Sequence, residues 1–426
     1  MTTNTSGLEH PPHVHIYSDG FGPAPNSNGA ELAHCSEVQA YLDLGCAVEF
    51  VFFHTKTNNL PANSGYFKQL AYTVVDATNE TSPRHALLAY RLGWPQDLEL
   101  WQLYPARSAM LREARARFQK DKSAIHVFHC LRTANVIPSL SKARTIWVCH
   151  DIESDLYSRS EAIDRQLEGR QTPYGWQVRM LRRLAELERK LAHSCGLVLC
   201  VAPEDAKRMR EEWSARNAAY LPISVPYGDS QVGVGQDRIP GELRLLHIGS
   251  LHHLPSYTSL QFLLGKVFPL LDPDTIARLK LEVIGAFEPG EPRANAIIEM
   301  ARPYPMVHFS GFVEDVRTAY RRNDLQVVAS TQATGRRTRI IESWAFGMPV
   351  LSTHVGVGGV THLAPGQNIL IADDPSDFAR MLKELMHNHE RLDEIAKAAR
   401  ATYELAFGRQ AVANTLRELL QTRFGL

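Results

Sequence analysis

The chain has 426 residues, with 46 lysines and arginines against 46 aspartates and glutamates, so its formal net charge is zero. That length exceeds the roughly 250–300 residues at which one hydrophobic core stops growing, so at least two domains are expected. Balanced charge argues against a protein that holds nucleic acid through a strongly basic surface, and 44% hydrophobic with 22% charged residues excludes a disordered chain.

The first twelve residues are polar and carry no apolar stretch of the kind found in a secretory leader. No run approaches the roughly 18 apolar residues that a membrane-spanning helix needs. A cytoplasmic protein is expected, with room only for peripheral contact at the inner membrane face. A strand is predicted at 13–18, then a Gly/Pro/Asn loop, DGFGPAPNSN, and a helix at 29–44. Further strands are predicted at 47–53, 125–130, 145–150 and 196–202, with helices at 109–120, 175–192 and 203–213. The six cysteines, Cys35, Cys46, Cys130, Cys149, Cys195 and Cys200, form no Cys-x-x-Cys pair and lie mostly in apolar runs. They read as buried thiols in a reducing compartment.

Residues 226–241, PYGDSQVGVGQDRIPG, hold four glycines, two prolines and no apolar periodicity, the signature of an interdomain linker. The second half repeats the alternation. Strands are predicted at 243–249, 281–285, 306–310, 325–329, 349–353 and 368–371, and helices at 256–270, 292–301, 314–322 and 338–346. Helical patterns at 375–386, 391–405 and 410–422 close the chain. Strands alternating with helices give parallel sheets covered on both faces. The expected division is a Rossmann-like domain at 1–225, the linker at 226–241, a second Rossmann-like domain at 242–408, and a helix at 409–426 that packs back on the first. Two doubly wound domains would face a cleft at the carboxyl ends of their strands.

Three segments carry candidate chemistry. Gly29 opens a helix after the first strand, where unpaired backbone N–H groups can meet an anion with no Cβ in the way. His150 ends a strand and can hydrogen-bond a hydroxyl or a phosphate oxygen. The third segment, TGRRTRIIESWAFGMPVLST from Thr334, sets Gly335, Arg336 and Arg337 before a helix whose first turn holds Arg339. A cation there opposes the helix dipole by roughly 0.3–1 kcal/mol, which makes sense if a polyanion binds beside it. Glu342 stands one turn on, on the same face, and can accept bonds from vicinal hydroxyls. No metal site is expected. His126 and His129 point to opposite faces of a strand, and His252 and His253 diverge. The acidic run Asp373, Asp374 and Asp377 reads as a helix cap.

These segments resemble the GT-B fold glycosyltransferases, in particular the large retaining family 4. The likeness lies in LLHIGSLHHLPSYTSLQFL, VHFSGFVEDVRTAY, GRRTRIIESWAFGMPVLSTHVGVGGV and ADDPSDFARML of the second half. NGAELAHCSEVQAYLDLG, HDIESDLYS and VLCVAPEDA extend it into the first half. The resemblance implies a metal-independent enzyme of polysaccharide biosynthesis. It would move a hexose, with retention, from a UDP- or GDP-sugar to a hydroxyl of a glycan, lipid-linked or other acceptor; no cofactor is implied beyond the donor.

By position, Gly29 matches the glycine loop at the donor phosphate and reacting groups, and His150 a histidine near the donor sugar. Arg339 takes the place of the basic residue at the diphosphate, Glu342 that of the ribose-binding glutamate, and Phe312 and Val313 that of the base contact. Three positions depart from the family. Thr334 replaces a glutamate, and Ser250 and Ser256 replace a pair of cations, for which Arg336 or Arg337 could compensate. Two rival readings share the fold: a nucleotide-sugar 2-epimerase, and a catalytically silent subunit that binds a nucleotide or partner. Two basic amphipathic stretches, 107–120 and 175–193, suit a peripheral membrane contact near a lipid-linked acceptor.

Overall fold

The structure, a computed structural model, describes residues 8, 11–20, 22–23, 29–55, 66–67, 70–78, 103–167, 169–226, 228, 234–235, 238–251, 253–288, 290–332 and 338–426. The chain divides into two compact units, Met1–Ile223 with Val412–Leu426, and Ser224–Ala411. The described residues of 226–241, predicted as a linker, group with the second unit. There Arg238 pairs with Asp324 and Asp393, and Arg400 donates to the Gly228 carbonyl.

In the first unit the described strands are β1 (His13–Ser18), β2 (Ala47–His54), β3 (Ala71–Asp76), β4 (Ile125–His129), β5 (Thr145–Cys149), β6 (Leu197–Cys200) and β7 (Ala218–Tyr220). They form one parallel sheet in the order β3-β2-β1-β4-β5-β6-β7. Strands β4, β5 and β6 are buried at every residue, as a parallel sheet covered on both faces requires. Alternate residues feed two cores. Val14, Ile16, Phe50, Val127 and Leu199 meet Val38 and Tyr41 of helix Gly29–Asp43, and Val412, Leu416 and Leu420 of helix Arg409–Phe424. Tyr17, Phe53, Phe128, Trp147 and Val198 meet Ala109 and Met110 of helix Leu103–Lys120 and Leu184 of helix Gly175–Ser194.

In the second unit, β8 (Leu243–Ile248), β9 (Leu279–Ile284), β10 (Val307–Gly311), β11 (Leu325–Val328), β12 (Val350–Ser352) and β13 (Leu370–Ile371) form a parallel sheet. Its order is β10-β9-β8-β11-β12-β13. The Arg244 guanidinium is bidentate on Asp324, which also accepts the Arg244 N–H, and this ties the start of β8 to that of β11. The two sheets give the doubly wound α/β class expected from the sequence.

Several elements differ from expectation. Strand β3, helix Glu153–Leu167, strand β7 and helix Pro273–Arg278 have no counterpart in the sequence reading. The predicted helix 256–270 begins earlier, at Leu254 with Pro255 in its first turn, and does not run through. It widens to a π turn at Leu263–Val267 and tightens to a 3-10 turn at Phe268–Leu270. Pro269 removes a backbone donor there, so an α-helical ladder cannot continue. Asp374 caps helix Pro375–His387 by accepting from Ser376 N–H and Asp377 N–H at 2.8 and 3.3 Å, as expected.

Candidate functional site

Each sheet reverses its strand order once, at β1/β4 in the first unit and at β8/β11 in the second. Open α/β sheets bind ligands beyond the carboxyl ends of their strands at that reversal. Of the sequence candidates, Gly29 follows β1, and Arg339 and Glu342 follow β11, at these two places; His150 follows β5, one strand from the first, and Phe312 follows β10, at the edge of the second sheet.

In the second unit, Gly249 follows β8 and Gly285 follows β9, with φ of +148° and +154°. Both positions need glycine for space as well as for backbone conformation. A Cβ on Gly285 would lie 2.3 Å from the Gly249 carbonyl oxygen, and one on Gly249 would lie 2.2 Å from Ser256 Oγ and 2.8 Å from Arg339 Nη2. The backbone is thus stripped of side chains where Arg339 arrives from the first turn of helix Thr338–Phe346. Arg339 Nη2 donates to Ser256 Oγ at 3.3 Å. The helix is amphipathic, with Ile340, Ile341, Trp344 and Ala345 in the core, which leaves Arg339 and Glu342 half-buried on one side.

Glu342 accepts a hydrogen bond from the buried Tyr320 hydroxyl at 3.1 Å. Burial raises the Glu342 carboxyl to about 7, against the opposing pull of the Tyr320 bond and the Arg339 charge. Beneath them, His247 of β8 is held neutral. Burial lowers it to about 3, and the Arg339 charge adds to the effect. Ser256 is buried against the guanidinium, and Ser250 donates to the Ala286 carbonyl, so both serines are engaged within the unit. Phe312 follows β10 with 60% of its surface exposed, whereas Val313 packs against the core. Gly335, Arg336, Arg337 and Thr334 lie outside the described residues.

In the first unit, Gly29 opens helix Gly29–Asp43, and the residues just before it lie outside those described. His150 follows β5 and is half-buried. It is not alone. Its Nε2 lies 3.0 Å from Nδ1 of His129, the last residue of β4, and the His34 ring stacks on His129 with centroids 3.8 Å apart. Glu37, one turn beyond His34 on the same helix face, brings Oε2 to 2.8 Å from His129 Nε2. His34, Glu37 and His129 are buried. Burial lowers His129 to about 3 and His150 well below the usual imidazole range, so both rings are neutral. The same burial lifts the Glu37 carboxyl to about 8.

The segment after His150 is fixed by a second buried carboxyl. Glu188 accepts from Glu153 N–H at 2.6 Å and from the Ser154 hydroxyl at 2.5 Å, at the start of helix Glu153–Leu167. His126 diverges from His129, as the strand geometry requires. It stacks on Phe118 at 3.7 Å and bonds the Tyr17 hydroxyl at 2.9 Å. Sequence reasoning missed Glu37, His34 and Tyr320 as members of these sites, and His129 as the partner of His150. One local signal existed, the His34/Glu37 spacing on a helix that opens at the β1 turn.

The two basic stretches prove unequal. On the first, Arg117 turns inward onto Glu49 and Glu113. On the second, Glu188 is buried while Arg179, Arg182, Arg183, Arg189 and Lys190 are exposed, beside exposed Tyr174 and Val178. No helix among the described residues is long and apolar enough to cross a membrane.

Residues 242–388 match the family model described as Glycosyl transferases group 1. A lipopolysaccharide core biosynthesis glycosyltransferase, LpsE of Rhizobium meliloti, is 29% identical over 119 residues, 28% of this chain and 34% of that protein. The match therefore spans about a third of that curated relative. Among solved structures, Anabaena Alr3699/HepE in complex with UDP and glucose has 15% identity and a TM-score of 0.66, covering 96% of this chain and 100% of that one. Sucrose-phosphate synthase from Thermosynechococcus elongatus has 14% identity and a TM-score of 0.69, covering 97% and 99%. WaaG, a glycosyltransferase involved in lipopolysaccharide biosynthesis, has 15% identity and a TM-score of 0.60, covering 95% and 99%. At these identities the structural likenesses establish the fold, which is GT-B.

Proposed function

We propose that this GT-B protein is a retaining glycosyltransferase that moves a hexose from a nucleoside diphosphate sugar to a hydroxyl, with no divalent metal at the diphosphate. The observation that carries the reading is Arg339, a cation in the first turn of a helix, set against a glycine-lined strand end. A helix N-terminus repels a cation and attracts an anion, so an arginine held there is best matched by a diphosphate between the two. As the sugar leaves, charge grows on that diphosphate. Arg339 and the helix N–H groups would stabilise it electrostatically, the task a metal performs elsewhere.

The remaining residues take the other roles. Glu342 accepts the ribose hydroxyls, and the exposed Phe312 ring, with Val313 behind it, meets the base. Gly335, Arg336 and Arg337 add donors to the phosphates. His150 and Gly29 serve the sugar and its reacting groups. A UDP-sugar is the first donor to test, because HepE was solved with UDP and with UDP-glucose; GDP-sugars are the comparison. LpsE and WaaG, both named for lipopolysaccharide synthesis, support a glycan or lipid-linked acceptor. The exposed basic face of helix Gly175–Ser194 suits a peripheral contact with an anionic membrane on its cytoplasmic side. Turnover of UDP- and GDP-sugars against a glycan and lipid-acceptor panel tests this reading. Nucleotide binding with no transfer to any acceptor would point instead to a silent subunit.

A further inference from the structure

We propose that Glu37 and His129 are positioning residues that set the tautomer of His150, so that one buried carboxyl decides whether His150 presents a hydrogen-bond donor or an acceptor. The consequence for catalysis rests on the reading above, that His150 meets the donor sugar.

The geometry is a short chain of three groups. Glu37 Oε2 is 2.8 Å from His129 Nε2, and His129 Nδ1 is 3.0 Å from His150 Nε2. The first contact is bent, since His129 Nε2 has no aligned hydrogen-bond partner. The second is an ordinary hydrogen-bond length. Two neutral imidazoles joined nitrogen to nitrogen share one proton in that contact. The ring that accepts it there must carry its own proton on the other nitrogen. Two arrangements carry the protonation state of Glu37 through to His150.

With Glu37 protonated, its O–H donates to His129 Nε2. His129 then holds its proton on Nδ1 and donates it to His150 Nε2, and His150 carries N–H at Nδ1. With Glu37 ionised, every bond reverses. His129 Nε2–H donates to the carboxylate, His150 Nε2–H donates to His129 Nδ1, and His150 Nδ1 is a bare acceptor. The two states differ by one proton, which leaves from His150 Nδ1 as each inner proton moves one place away from Glu37, towards His150. Neither end state contains an imidazolium. The negative charge appears on Glu37, away from the half-buried face of His150.

The direction follows from burial. A carboxyl raised to about 8 is mostly protonated at pH 7, so His150 presents a donor there and an acceptor above pH 8. Other titratable groups face the chain. His34 stacks on His129, and Tyr41 lies beside Glu37. Asp19, Arg132, Asp151 and Glu153 surround Cys130, the residue after His129. The three imidazoles also offer nitrogens within 4.8 Å of one another, a spread that a metal ion could occupy. The His34 and His129 planes, however, lie within 22° of parallel at 3.8 Å. Their in-plane lone pairs run side by side instead of converging on one point, so hydrogen bonding accounts better for the arrangement.

The test is long-range proton–nitrogen NMR of the full chain labelled at its histidines, with His150 assigned by a His150→Gln variant. Wild type is expected to show His150 protonated at Nδ1 at pH 7 and at Nε2 at pH 9. Glu37→Gln replaces the carboxyl by an amide that does not titrate, so the His150 tautomer should be the same at both pH values. His129→Asn, whose amide can stand in for Nδ1–H, should likewise hold one tautomer if the glutamine variant folds poorly. A His150 tautomer that does not change between pH 7 and pH 9 in wild type, or that still changes in Glu37→Gln, overturns the proposal. Sugar-transfer rates on the same proteins separate the second premise. A kcat that falls above pH 8 in wild type and persists in Glu37→Gln supports both. A tautomer switch with a flat kcat upholds the relay and removes His150 from the donor sugar.

Discussion

Gly249 and Arg339 share one space: a Cβ on the glycine would come within 2.8 Å of the guanidinium Nη2, and within 2.2 Å of the Ser256 hydroxyl that Nη2 bonds. The absent side chain is the room in which the cation sits. The same φ of +148° that excludes other residues turns the backbone past the sheet edge beside the helix start. Strand end, serine and arginine therefore form one arrangement, and each can be tested through the others.

Gly249→Ala is expected to displace Arg339 and strain the turn. The strain alone should cost about 1–3 kcal/mol, visible as a lower unfolding temperature. UDP affinity by calorimetry should fall by about tenfold or more, since each 1.4 kcal/mol of lost contact is a factor of ten.

Glu342 gives a pH signature. With its carboxyl raised to about 7, it is mostly protonated at pH 6 and mostly ionised at pH 8. In the proposed role the ionised form accepts two ribose hydroxyls, whereas the protonated form has lost one acceptor site. Affinity for UDP should therefore rise by up to about tenfold between pH 6 and pH 8. Glu342→Gln should bind weakly and without that slope. A slope retained in the glutamine variant would assign the titration to another group.

The parallel sheets were legible because their central strands are continuous apolar runs, as in β4 to β6, and such runs between helical patterns allow few other folds. Strand β3 was not legible. It lies at the sheet edge with Val74 exposed, so burial imposes little pattern on it. Helix Glu153–Leu167 was missed for a different reason. Its sequence is mostly polar, and the carboxyl at its start comes from Glu188, 35 residues away. The sites divide in the same way. Arg339 and Glu342 are three residues apart on one helix and could be read locally. Glu37, His129 and His150 come from three separate elements, and only the fold brings them together. Ser256, read as the loss of a cation, is a hydrogen-bond partner of the cation that remains.

The C-terminal helix offers a stability test. Leu416 is fully buried in the first unit's core with Val412 and Leu420. Leu416→Ala should destabilise by about 2–5 kcal/mol through lost burial and the cavity left behind. Chemical denaturation measures this directly, and a change below 1 kcal/mol would mean that the helix contributes little to that core.

The membrane contact is tested by charge reversal on helix Gly175–Ser194. Arg182→Glu with Arg183→Glu should weaken co-sedimentation with vesicles rich in anionic lipid by about 30-fold or more, at roughly 1 kcal/mol for each basic residue lost. Both side chains are exposed, so unfolding temperature should hold steady. Binding that is indifferent to anionic lipid, or to the reversal, removes this face from the membrane.

Most direct is the steady-state kinetics of sugar transfer by Arg339→Ala beside wild type, with UDP-sugar as the varied substrate. Loss of the cation at the leaving diphosphate should lower kcat/KM by about 10²-fold or more, with the unfolding temperature little changed. Unaltered kinetics in a folded Arg339→Ala protein would contradict the assignment of this helix N-terminus to the donor diphosphate.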